Sequence, residues 1–180
     1  MLIPSDNYYV KIDVSEFANP CIVATVHGNH NGIGPNPRQI ALTVDYAPYT
    51  DFAILIAKTL DGEDVSIAPI EIDYMIIERG DIVSNLKCGR TKITHNSDGS
   101  SYVGKQISCI EFENPICVAT LHTEGNNPEG LPLIVKTNHS KSTSDMITIV
   151  ISTPDGSVLP SGEYYADYVI SELTSEETYE

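Results

Sequence analysis

The stretch EFANPCIVATVH at residues 16–27 returns as EFENPICVATLH at residues 111–122, and the fold follows from that return. Eight of the twelve positions are identical, at an offset of 95. Outward from it the two copies stay in step with one net deletion. Asp51 matches Asp145, and Thr59, Asp61 and Gly62 match Thr153, Asp155 and Gly156. Further on, DYMIIE at 73–78 matches DYVISE at 167–172, now at an offset of 94. Matches kept in one order over this span mark an internal duplication.

Each copy reads as strands. CIVATVH and ICVATLH are rich in β-branched residues and follow Asn-Pro, a break that suits a strand start. DFAILIAKTLDGEDVSI at 51–67 spells a strand, a turn at Asp61-Gly62 and more strand. MITIVISTPDGSVL at 146–159 repeats it around Pro154-Asp155-Gly156. IEIDYMIIE and YYADYVISE close the two copies. Apolar residues at helical spacing over twelve or more positions occur nowhere, so little helix is expected. The expected fold class is all-β: two tandem antiparallel β-sandwiches, at 1–82 and 83–173, then an acidic tail at 174–180.

The copies differ at their starts. Copy two is led by GRTKIT at 89–94, a strand candidate, whereas copy one begins almost directly at SDNYYVKIDVS, residues 5–15. Copy one is therefore short of a leading strand. That leaves a sheet edge near residues 7–14 open to another chain, unless residues 2–4 fold back over it.

Charge narrows the function. Ten basic and 25 acidic residues give a formal −15, which repels a phosphate backbone and an anionic lipid surface. Nucleic-acid binding and membrane insertion are not expected; no run of eighteen apolar residues exists. The first residues have neither the basic nor the apolar segment of a secretory signal. Four cysteines, Cys21, Cys88, Cys109 and Cys117, form no CxxC pair, and are expected to be reduced and mostly buried.

Two segments rich in Gly, Asn and Pro, VHGNHNGIGPNPRQI at 26–40 and LHTEGNNPEGL at 121–131, read as long loops, and such loops in a compact domain usually contact something. The candidate contact residues are His27, Asn29, His30 and Asn31 in the first, and Glu124, Asn126 and Asn127 in the second. Their side chains suit hydrogen bonding to a glycan or a neighbouring protein. His27 and His30 form an H-x-x-H without a third ligand, so no metal is expected. His27 and His122 recur at one strand end with no nucleophile-and-acid set repeated beside them, which favours a structural role. Asp73 and Asp167 also recur, and read as strand-edge carboxylates bonding to backbone. No catalytic residue and no cofactor are expected.

In copy two the order is GRTKIT, a polar turn, QISCIEFENPICVAT, a long loop, MITIVIS, a turn and YYADYVIS. This resembles the H-type lectin domain, whose pattern is also widespread in bacteriophage virion and tail-fibre proteins. The resemblance implies a six-stranded antiparallel sandwich that often assembles into trimers, with Tyr74 and Tyr168 in the aromatic position of the last strand. It implies a non-enzymatic bacteriophage virion protein: a head or tail accessory, fibre or host-adhesion component. Such a protein is made in the host cytoplasm and resides in the virion. Its implied partners are further copies of itself as a homotrimer, other virion proteins and cell-surface glycans. A free soluble carbohydrate-binding lectin is the alternative.

Overall fold

The computed structural model describes residues 2–3, 9–27, 40–45, 51–59, 70–80, 85–96, 98–122, 132–139 and 145–172. The described residues of the N-terminal half hold strands β1 (Leu2–Ile3), β2 (Tyr9–Asp13), β3 (Pro20–His27), β4 (Ile40–Asp45), β5 (Phe52–Thr59) and β6 (Ile70–Glu78). Those of the C-terminal half hold β7 (Leu86–His95), β8 (Tyr102–Ser108), β9 (Pro115–His122), β10 (Ile134–His139), β11 (Met146–Ser152) and β12 (Gly162–Glu172). No helix occurs among them, and so none long and apolar enough to cross a membrane. The all-β expectation is met.

Alternation explains the strands. In β11, Ile147, Ile149 and Ile151 are buried while the residues between them are half-buried, the period of two that a pleated strand requires. Fully burying each such side chain contributes about 1.5–3 kcal/mol. The turn after β11 follows from its chemistry. Gly156 has φ +76, and the Asp155 carboxylate accepts the Ser157 N–H at 3.0 Å.

The two halves pair their strands by one scheme. β6 lies between β1 and β3, and β12 between β7 and β9. β5 lies between β2 and β4, and β11 between β8 and β10. The registers also match: Thr25 stands opposite Asp73 and Thr120 opposite Asp167, while Val23 faces Met75 and Val118 faces Val169. Even the Phe corners agree. The Phe17 N–H donates to the Val14 carbonyl at 3.0 Å, and the Phe112 N–H to that of Cys109 at 2.9 Å. Each half has its own core. One gathers Ile12, Ile22, Val44, Leu55 and Ile72, the other Ile93, Leu121, Ile149, Leu159 and Tyr164.

Two expectations need correcting. First, the leading strand of copy one is present, shortened to β1, with Leu2 opposite Glu71 and Ile3 opposite Ile70. The chain's own first residues fold back onto β6, because an intramolecular strand needs no partner to be recruited. In copy two the equivalent β7 runs ten residues beside β12. Second, the sheets are not purely antiparallel. β4 runs parallel to β9 at Thr43–Leu121 and Val44–His122, joining three strands of each half into one six-stranded sheet, β2-β5-β4-β9-β12-β7. The two Phe corners, alike in backbone, differ in burial: Phe112 is 9 % exposed, whereas Phe17 packs only half-buried against its core. The Asp61-Gly62 turn lies outside the described residues.

Candidate functional site

Of the candidate loop residues, His27 closes β3 opposite Glu71. Asn29, His30, Asn31, Glu124, Asn126 and Asn127 lie outside the described residues. The densest polar chemistry among the described residues sits elsewhere, where β3 of the N-terminal half meets β9, β12 and β7 of the C-terminal half.

Asp167 is at its centre. It stands in the middle of β12, in YYADYVIS, where alternation turns Tyr164, Ala166, Tyr168 and Ile170 into the C-terminal core and leaves Asp167 and Val169 on the opposite face. Asp167 is fully buried, and Arg90, opposite it on β7, grips it through Nε at 2.6 Å and Nη2 at 3.2 Å. Such a two-point charge-assisted pair is strong and geometrically specific. The same carboxylate accepts the backbone N–H of Ile22 at 2.9 Å. Arg90 also donates to the Pro20 carbonyl at 3.5 Å.

One strand over, the Thr120 hydroxyl accepts the Ala24 N–H at 2.7 Å and donates to the Ala24 carbonyl at 3.2 Å. Ile22 and Ala24 turn these groups away from β6, so they form the outer edge of β3. Side chains of the other half satisfy an edge that would otherwise be left in an apolar junction at a cost. The Sγ of Cys21 adds contacts of 3.5 Å to the carbonyls of Gly89 and Tyr168. Cys21, Val23 and Val169 form a small apolar cluster with Ile77, Leu86 and Cys88. Cys21 and Cys117, offset by one residue between copies, accordingly face opposite sides: Cys117 packs against the C-terminal core.

Burial sets the titration of this region. The Cys21 thiol is pushed far up, first by desolvation and then by the Asp167 charge, and desolvation pushes Cys117 up to about 12. Neither is poised to act as a thiolate nucleophile. His122, 1 % exposed at the end of β9, is pushed down to about 3 by burial and by the cations Arg90 and Arg79. It is a neutral imidazole at pH 7. The structural reading of this recurrent His therefore fits its burial.

Beside the junction lies a cleft of about 290 Å³ between β3, β4, β9 and β10. Its side chains are aliphatic, among them Val26, Leu42, Leu121 and Ile134, with the hydroxyls of Thr25 and Thr120. Among the described residues that lining offers apolar contact and no acid or base, and the Thr120 hydroxyl is already engaged by the Ala24 backbone. Among the described residues, no three of His, Cys, Asp and Glu converge as a metal site would require.

Asp167 was expected to be a strand-edge carboxylate bonding to backbone. The bond to backbone is there, but the residue is mid-strand and the backbone belongs to the other half. Arg90 and Thr120 were not singled out as site residues. The signal available was a charged residue inside an apolar strand, repeated together with its cross-strand Thr. Asp73, the counterpart of Asp167, is exposed.

Fold and junction together define an all-β chain whose recurrent polar residues hold its own two halves against each other. No protein-family model matches the chain, and neither a curated protein nor a solved structure matches it.

Proposed function

We propose that this chain is a non-enzymatic structural protein of a bacteriophage virion. In this reading it is two tandem β-sandwiches of H-type-lectin-like topology, at 1–82 and 83–173, antiparallel within each half and joined by the parallel β4–β9 step, serving as a head or tail accessory, fibre or host-adhesion component. The observation that carries the reading is the pairing scheme repeated in both halves, with Asp167, Thr120 and Arg90 engaged in holding those halves together rather than directed at a small molecule. The order of motifs in copy two supports the family, and the acidic charge supports a protein partner over nucleic acid. In this reading the protein assembles as a homotrimer and contacts other virion proteins, and the loop residues His27, Asn29, His30, Asn31, Glu124, Asn126 and Asn127 face glycans or neighbouring subunits.

Two measurements test it. Mass spectrometry of purified virions carrying this gene should find the protein at a fixed stoichiometry; its absence from virions overturns the proposal. A glycan array should show no dominant monosaccharide, whereas one clear sugar preference would favour a free lectin.

A further inference from the structure

The two halves flank their last strands unequally. In the C-terminal half β7 runs ten residues beside β12, with Leu86 opposite Ser171 and His95 opposite Gly162. In the N-terminal half the same lane beside β6 holds β1 alone, with Leu2 opposite Glu71 and Ile3 opposite Ile70. By register these two are the counterparts of Lys92 and Ile93. The lane that the first half of β7 would fill therefore holds no strand among the described residues.

The backbone of β6 faces that lane at alternate residues. Ile22 and Ala24 turn their backbone groups away from β6, toward Asp167 and Thr120. Residues opposite each other in an antiparallel pair either bond mutually or both point outward. Their partners Ile76 and Tyr74 accordingly turn their groups away from β3, into the lane. The Glu78 carbonyl, next in this series, receives the Cys88 thiol at 3.2 Å and marks one end; β1 marks the other. Between them lie residues 73–77, roughly 16 Å of strand at about 3.3 Å per residue. Burial agrees: Tyr74 is 38 % exposed, whereas its counterpart Tyr168, flanked by β7, is 9 % exposed.

The chemistry that fits the lane is written in β7. Gly89 stands opposite Tyr168, and a Cβ there would lie 2.7 Å from the tyrosine oxygen. Two residues earlier, Lys87 reaches the Glu111 carboxylate at 2.7 Å. Copy one keeps both acceptors, with Tyr74 for Tyr168 and Glu16 for Glu111. Glu16 is exposed and has no ion pair among the described residues.

We propose that residues 73–77 of β6 accept a short basic segment of a partner protein as an added antiparallel strand. Glycine lies opposite Tyr74 and lysine opposite Ile76, and the lysine pairs with Glu16. Tyr74 and Ile76 each exchange N–H and C=O with the residue they face, so the backbone supplies affinity and the side chains select. The net charge of −15 attracts such a segment and opposes the approach of a second copy of the chain. This goes beyond the virion reading and does not rest on it.

The test is NMR on the isotope-labelled full chain. Alone and dilute, it should exchange the amide hydrogens of Tyr74 and Ile76 about tenfold or more faster than those of Met75 and Ile77, which bond β3. The probe is the capped peptide Leu-Lys-Ala-Gly-Arg, the β7 segment 86–90 with alanine for cysteine. At millimolar concentration it should shift the amide signals of residues 73–77 and slow that exchange. Valine in place of its glycine should weaken binding about tenfold or more, by overpacking against Tyr74. Glutamine in place of its lysine should weaken binding about two- to fivefold, the scale of an exposed ion pair. Glu16→Gln, at an exposed position, should erase that second difference. Adding the same five residues ahead of Met1 continues β1 in the register of β7; it should protect both amides and abolish peptide binding. Protected amides in the dilute chain overturn the proposal, as does a peptide that binds elsewhere, without these preferences or not at all. Protection that grows with the concentration of the chain alone assigns the edge to a second copy and also overturns it. None of these outcomes depends on virions, so this proposal and the virion reading fail separately.

Discussion

The carboxylate of Asp167 accepts the backbone N–H of Ile22 at 2.9 Å across 145 residues of sequence, a side chain of one repeat bonded to the open strand edge of the other. Because that carboxylate is fully buried and also held by Arg90, it couples three things: the β7–β12 pair, the β3 edge and the relative placement of the halves. Removing one partner of a buried, hydrogen-bonded ion pair leaves the other charge stranded.

Asp167→Ala should therefore destabilise the protein by about 3–5 kcal/mol, the usual cost of breaking a buried pair. The matched control is Asp73→Ala, the same residue type at the equivalent but exposed position. It should stay within about 0.5 kcal/mol in dilute protein at low salt. Urea midpoints at constant m-value decide between them, and equal losses at both sites would show that the junction carries no special energy.

The aromatic corners offer a second comparison. Phe112 is buried in the C-terminal core, so Phe112→Ala should cost about 3–5 kcal/mol. Phe17, half-buried in an otherwise equivalent corner, should cost measurably less on truncation. Thermal denaturation of the two variants side by side checks the order, and a reversed order would contradict the burial.

Much of the strand layout was legible in the sequence, and the reason is physical. Identical residues at a fixed offset impose identical local physics, so EFANPCIVATVH and EFENPICVATLH had to form the same element. The Ile147, Ile149, Ile151 alternation left no other reading of β11. The junction was not legible in the same way. Asp73 and Asp167 are indistinguishable as residues, and only the packing of β3 against one of them decides which is buried. The parallel step from β4 to β9 spans two residue pairs, too short to leave a pattern. β1 is also two residues long, below the length at which alternation can be seen.

Gly89 tests how closely β7 approaches its neighbour. A Cβ built there would lie 2.7 Å from the Tyr168 hydroxyl oxygen and 2.9 Å from the ring carbon that bears it. The tyrosine is held in the core, so the ring has little room to retreat. Gly89→Ala should cost about 1–3 kcal/mol, the range for overpacking. Tyr168→Phe should recover only part of it, because the ring carbon stays close. Full recovery in the double variant, measured by urea denaturation, would place the whole clash on the hydroxyl.

The last prediction concerns acid. His122 is held neutral in the fold, with its imidazole pushed from 6.5 down to about 3 by burial first and by Arg90 and Arg79 next. On unfolding it regains its ordinary affinity for a proton. Below pH 6.5 the unfolded chain therefore binds a proton that the folded chain refuses, and stability falls as pH falls through that window. The contribution of this group is complete above 6.5 and declines toward 3, at a slope of up to about 1.4 kcal/mol per pH unit. His122→Gln keeps a neutral polar side chain and removes the titration. Between pH 6.5 and about 5, before most carboxylates protonate, its stability should fall less steeply than that of the wild type. Urea denaturation at steps across that window gives both slopes, and parallel curves for the two proteins would mean that His122 takes up its proton without unfolding.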